Sequence, residues 1–129
     1  MRLIDLKEII DDKGNLVVIE SNDIVPFDIK RLFYIYGVGN IVRGEHANIN
    51  SQFCFICLNG SCKIKVDNGD IIKEFLLDNK RLMLYIDKMV WKDMYDFSDD
   101  CLLLVLSDHK YDSSEYIRDY YEFIERRKI

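Results

Sequence analysis

One proline, two histidines, one tryptophan and no long apolar run mark this chain, and each shortage excludes a class of protein. Nowhere do the roughly eighteen unbroken apolar residues of a membrane span occur. The opening MRLIDLKEII carries acids too early for a secretory leader, so the expectation is a cytoplasmic chain with no membrane partner. Positive charge is also in deficit. The 18 Lys and Arg against 23 Asp and Glu leave a net charge of -5. That balance argues against nucleic acid as a partner and confines any anion site to a local basic pocket. Cysteine is present in too sparse a pattern for a zinc module. CFIC has the gap of a zinc half-site, yet no second pair follows at finger or ribbon spacing. Cys54, Cys57, Cys62 and Cys101 are therefore read as buried reduced thiols behaving as small hydrophobes.

What is present reads as β-structure. A length of 129 residues with 49% hydrophobic and 32% charged residues suits one globular domain, 1–129. NLVVIE, RLFYIYGV, FCFICLNG, SCKIKVDNG, DIIKEFLL, RLMLYI and CLLLVLSD are short and rich in β-branched and aromatic residues. They predict strands to about residue 107. SCKIKVD alternates, with Cys62, Ile64 and Val66 on one face and Lys63, Lys65 and Asp67 on the other. Asn68-Gly69 supplies a hairpin turn and Asn59-Gly60 a second one, which predicts a tight antiparallel meander in mid-chain. Many short strands at this spacing indicate an all-β sandwich or barrel. After Ser107 the character changes. Asp112 as N-cap, Glu115 three residues on, and Ile117, Tyr120 or Tyr121, and Ile124 at helical spacing predict one amphipathic helix over about 113–127. Arg126, Arg127 and Lys128 complement its negative end.

The chain resembles the cupin-fold sugar 3,4-ketoisomerases that act on dTDP-4-keto-6-deoxyglucose. The likeness rests on DDKGNLVVIE, IVPFDIKRLFYIYGV, RGEHAN, CLNGSCKIKVDNG, MVWKDMYDFSDDCLLLVLSD and YDSSEYIRDYYEF, in the family's order and spacing. PFDIKRLFYI and the VW-x-x-M-x-DFS run are its most specific pieces. The resemblance implies a cupin jelly roll with one C-terminal helix, and a homodimer whose subunits exchange N-terminal strands. It further implies a dTDP-linked keto-sugar as partner, no cofactor and no catalytic metal. The implied chemistry moves a ketone from C4 to C3 through an enediolate, which calls for a base near neutral pKa and a donor for the developing oxyanion.

Within that pattern the chain departs at one place. The family motif is Arg-Gly-x-His-x-His, with the second histidine expected as base, whereas here the run is Arg43-Gly44-Glu45-His46-Ala47-Asn48. The resemblance thus puts His46, Tyr34 and Asn48 at the catalytic positions. Because an amide is no general base, the proton transfer falls to His46, to another group such as Tyr34 or Glu45, or is lost. Phe33-Tyr34 stands where the family has two tyrosines. Arg43 is expected at the sugar diphosphate, since guanidinium pairs bidentately with phosphate; the alternative is a surface ion pair. Arg31 is a second candidate. Trp91 either packs in the core or lines the cleft, and strand alternation points Lys92 to the opposite face. In the family the positions of Lys13 and Lys92 bear on the C4 stereochemistry of the product. A cupin metal site needs His-x-His and more, which Asn48 and the distant His109 do not supply. Three functions stay open: the ketoisomerase, a related isomerase or epimerase on another nucleotide-linked keto-sugar, and a catalytically silent cupin that binds one.

Overall fold

A computed structural model describes residues 1–128 and contains twelve strands and one helix. In chain order they are β1 Arg2–Asp5, β2 Glu8–Asp11, β3 Gly14–Val17, β4 Arg31–Tyr36, β5 Arg43–Asn48 and β6 Phe53–Asn59. There follow β7 Cys62–Asp67, β8 Ile72–Leu77, β9 Leu82–Ile86, β10 Trp91–Tyr95 and β11 Leu102–Ser107. A 3-10 turn at Ser113–Glu115, the two-residue β12 Tyr116–Ile117 and α1 Tyr120–Arg127 close the chain. Two five-stranded sheets, ordered β1-β9-β6-β11-β4 and β12-β5-β10-β7-β8, face each other as a cupin jelly roll; β2 and β3 pair only with one another.

The continuous apolar run FCFIC follows from the central place of β6. Phe53, Phe55 and Cys57 point between the sheets, where they meet Ile64, Val66, Leu84, Met94 and Val105. Cys54 and Ile56 point the other way, under Val25 and Phe27 of the segment before β4. A strand covered on both faces has no polar side to alternate with. The outer face of the second sheet is covered by α1, whose Phe123 packs on Ala47, Trp91 and Ile117. All four cysteines are free and buried, as their apolar setting led one to expect.

Two expectations need correcting. Asn68-Gly69 does close the β7–β8 hairpin, but Asn59-Gly60 carries the chain from one sheet to the other, since β6 and β7 never pair. Glycine is required there because Gly60 has φ +68° and a Cβ would overlap the Ser98 hydroxyl and lie 2.9 Å from the Cys101 nitrogen. The helix expected over 113–127 occupies only Tyr120–Arg127, capped by the Asp119 carboxylate, which accepts from Tyr121 N–H at 2.9 Å. Asp112 caps instead the preceding 3-10 turn, accepting from Ser114 N–H at 3.0 Å. Between them β12 joins the second sheet, pairing Tyr116 with Asn48 and Ile117 with Ala47.

Candidate active site

The site begins with a bulge. In β5 His46 lies opposite Lys92 of β10 and Gly44 opposite Asp93, so Glu45 is an extra residue without a partner. Residues 43 and 46 would face opposite ways on a regular strand; the bulge lets Arg43 and His46 open on the same cavity. Gly44 makes it possible. Its φ is +87°, and a Cβ there would sit 2.8 Å from the Lys92 carbonyl oxygen. The turned backbone also serves His46, whose Nδ1 is 2.9 Å from the Gly44 carbonyl oxygen. A carbonyl only accepts, so the proton belongs on Nδ1 and Nε2 is the unprotonated acceptor. Burial, then the charge of Lys92, lowers the imidazole from its ordinary 6.5 to about 4, against the opposing Gly44 bond. The ring is a neutral acceptor at neutral pH.

The cavity, about 260 Å³, lies between the sheets, with Phe33, Ile35, Phe53 and Phe55 on one wall and His46, Lys92 and Met94 on the other. Lys92 is only 3% exposed. Its Nζ donates to Asn48 Oδ1 at 2.8 Å and stands 4.5 Å from the Phe53 ring centre. Burial pulls this amine down to about 7, with Arg31 adding to the effect and Glu115 opposing it.

Two residues that sequence reasoning missed complete the mouth. Tyr116 packs against His46 in a tilted arrangement with ring centres 4.6 Å apart, and Arg118 lies 4.8 Å from the Tyr116 ring. They are held there by Glu115, 3% exposed, whose Oε1 accepts from Asn50 N–H at 2.9 Å and Ser51 N–H at 3.0 Å while Oε2 accepts from the Ser51 hydroxyl. The period of two, with Glu115 and Ile117 buried and Tyr116 and Arg118 lining the cavity, shows only in the structure, inside a stretch whose caps suggested a helix. The result is a recess lined by Arg43, Lys92 and Arg118 in a chain of net charge -5, suited to an anionic ligand.

Comparison with known proteins decides the family. The family described as FdtA (WxcM-like, C-terminal) matches residues 1–128. This chain belongs to the FdtA family. It is 45% identical over 123 residues to TDP-4-oxo-6-deoxy-alpha-D-glucose-3,4-oxoisomerase of Aneurinibacillus thermoaerophilus, covering 95% of this chain and 88% of that protein. Among solved structures it is similar to WlaRA, a TDP-fucose-3,4-ketoisomerase from Campylobacter jejuni, with a TM-score of 0.93 and 48% identity over 98% of this chain and 94% of the other. A histidine-to-asparagine mutant of the 3,4-ketoisomerase QdtA from Thermoanaerobacterium thermosaccharolyticum, in complex with TDP-4-keto-6-deoxyglucose, gives 0.93 and 41% over 98% and 93%.

In this member of the FdtA family the candidates from sequence are only partly brought together. His46, Lys92 and Arg43 line the cavity; Asn48, 1% exposed, lies behind them with its Oδ1 on Lys92 and its Nδ2 unpaired among the described residues. Tyr34 is not there. It is 60% exposed on the outer face of β4, stacked on Tyr36, because Phe33 and Ile35 take the inward positions. Trp91 takes the packed alternative: its indole lies on Tyr120 and Phe123 beneath α1, and it lines a separate recess with Glu45, Asp67 and Asp93. Lys92 does take the opposite face. Arg31 lies behind the cavity with its guanidinium 5.5 Å from Phe33 and 5.8 Å from Phe53, its Nε and Nη2 buried without hydrogen-bond partners among the described residues. Lys13 sits in the turn of the β2–β3 hairpin, where its N–H donates to Asp11 Oδ1 at 2.8 Å, and does not line this cavity. His109 is exposed beside Asp108. The one cluster of potential metal ligands among the described residues is the thiol trio Cys57, Cys62 and Cys101, within 4.8 Å of one another in the inter-sheet core and apart from this cavity.

Proposed function

We propose that this protein is a 3,4-ketoisomerase that converts TDP-4-keto-6-deoxyglucose to its 3-keto isomer in deoxysugar biosynthesis. One observation carries the reading: a neutral His46 with Nε2 as its acceptor in a cation-lined recess, in a chain 45% identical to an oxoisomerase of that substrate. The C3 proton is acidified by the adjacent C4 ketone. His46 Nε2 removes it, negative charge grows on the C4 oxygen, and the Lys92 ammonium lies beside the ring that took the proton. Arg43 and Arg118 offer bidentate donors to the diphosphate. That charge offsets the cations which depress His46, so substrate binding strengthens the base. No step calls for a metal, since an amine and two guanidiniums around a single imidazole repel a divalent cation.

The assay is incubation with TDP-4-keto-6-deoxyglucose in deuterated water, followed at C3 and C4 by NMR. We expect deuterium at C3 of the recovered substrate and at C4 of the 3-keto product. Absence of both refutes the isomerase. Phe33 and Asn48, which carry no titratable proton into the site, favour as second reading a silent nucleotide-sugar binder. TDP binding without exchange identifies it, and exchange without ketone migration identifies an epimerase.

The proposal includes a homodimer joined through the N-terminal segment. Support comes from the β2–β3 hairpin, which pairs with neither sheet and exposes Ile9, Ile10 and Leu16, and from the exposed row Leu32, Tyr34 and Tyr36 on edge strand β4. Four free cysteines favour a reducing, cytoplasmic setting, and among the described residues no helix is long and apolar enough to cross a membrane.

A further inference from the structure

A 3,4-ketone shift needs two proton movements, and His46 accounts for one. Carbon loses a proton at C3 and gains one at C4; oxygen must lose one at O3 and gain one at O4. The second exchange requires a group that donates and then accepts, within one cavity, without leaving the substrate. Asn48 has no proton to trade, Phe33 has none, and Tyr34 points to the opposite side of its strand.

We propose that Lys92 is the oxygen-to-oxygen proton relay of this reaction, held in place by Asn48. The inference rests on the isomerase reading above and adds its second catalytic residue. Its support is positional. Lys92 is the direct cross-strand partner of His46, so the two side chains leave the same face of the sheet and line the same recess. Its Nζ lies 4.5 Å from the Phe53 ring centre and is tethered to Asn48 Oδ1 at 2.8 Å, which uses one of three donor directions and leaves the others for ligand. Asn48 is a positioning residue here, its amide fixing the amine. Glu115 of the 3-10 turn favours the charged form of Lys92 and Arg31 of β4 disfavours it, with His46 alongside on β5. That balance, with burial, brings the amine to about 7, where both forms are available at neutral pH.

The step balances. His46 Nε2 takes the C3 proton, the C3–H electron pair becomes the C3=C4 bond, and the C4=O electrons move to O4, which takes a proton from the Lys92 ammonium. The neutral amine then removes the O3 proton; the O3–H pair forms C3=O, and the C3=C4 pair takes the proton held on the His46 imidazolium at C4. Both residues return to their starting state and no oxidant is involved.

Lys92→Arg separates the two halves, because a guanidinium keeps the charge and the donor for O4 but does not deprotonate. In deuterated water this variant should bind TDP within a few fold of wild type and still exchange the C3 hydrogen within about tenfold, while ketone transfer to C3 falls roughly 100-fold or more. Ketone transfer within tenfold of wild type overturns the relay. So does loss of both exchange and transfer with TDP binding intact, since the charge has been preserved. If Lys92→Arg does not fold, Lys92→Met, similar in length and free of the cost of a buried charge, takes its place; near-normal ketone transfer in it overturns the relay, and loss of transfer with TDP bound supports it. Wild-type protein that neither exchanges nor isomerises fails the isomerase reading itself and takes the relay with it, whereas intact wild-type activity with an active Lys92→Arg fails the relay alone.

Discussion

Replacing Glu115 with alanine removes the carboxylate that ties the C-terminal segment to the β5–β6 turn. Three donors lose their acceptor: the N–H groups of Asn50 and Ser51, and the Ser51 hydroxyl. Hydrogen bonds to a charged group contribute roughly 1.5–3 kcal/mol each, and breaking a buried charged cluster costs about 3–5 kcal/mol in all. Some loss is recovered where the emptied space admits water, so we expect about 4 kcal/mol, a large fraction of the roughly 5–15 kcal/mol that holds a domain folded. For a chain of 129 residues the unfolding entropy is about 0.27 kcal/mol per kelvin, which makes the Tm fall roughly 15 °C. Glu115→Gln keeps one oxygen for the two N–H groups, turns its amide to the Ser51 oxygen, and should lose only about 1–2 kcal/mol. Urea unfolding followed by Trp91 fluorescence measures both variants. The same alanine variant should bind TDP more weakly, because Tyr116 and Arg118 follow directly after the lost anchor. A cost below about 1 kcal/mol for Glu115→Ala would refute the reasoning.

Two further predictions concern the cavity. Arg43→Ala and Arg118→Ala each remove a charge-assisted contact of about 1.5–3 kcal/mol, so TDP affinity measured by calorimetry should drop by roughly 10- to 150-fold, and unchanged affinity in both would move the diphosphate elsewhere. His46 is held near 4 in the folded protein against 6.5, so between those values the unfolded chain binds the extra proton; stability is full above about 6.5 and declines as pH falls toward 4, by at most about 3 kcal/mol. Lys92, held near 7, is mostly protonated in both states over that window, and His46→Asn should flatten the slope by about that amount; identical acid profiles for the two proteins would contradict the burial of the ring.

The strands were legible where only one face is buried. Cys62, Ile64 and Val66 against Lys63 and Lys65 gave both the element and its inward side, and Asn68-Gly69 gave the turn. RLFYIY is apolar or aromatic at five of its six positions, so its periodicity names a strand without saying whether Phe33 or Tyr34 faces inward; tertiary packing made that choice. The short β1 and β2 were missed because Asp5, Glu8 and Asp11 interrupt their apolar residues. Arg43 and His46 were found through the motif, but the reason they converge is the Glu45 bulge, which depends on pairing with β10. Tyr116 and Arg118 were missed because capping residues are local signals, and a two-residue strand is specified by its partner β5.

The recess draws one wall from Phe33 in β4 and its mouth from Tyr116 and Arg118, so its pieces are made at different times in synthesis. Chains emerge from the ribosome amino-terminus first, at roughly 5–20 residues per second. A growing chain can assemble much of both sheets while the cavity still stands open on the side that β12 will close. The recess is therefore completed only after β12 has emerged, when Glu115 reaches Asn50 and Ser51.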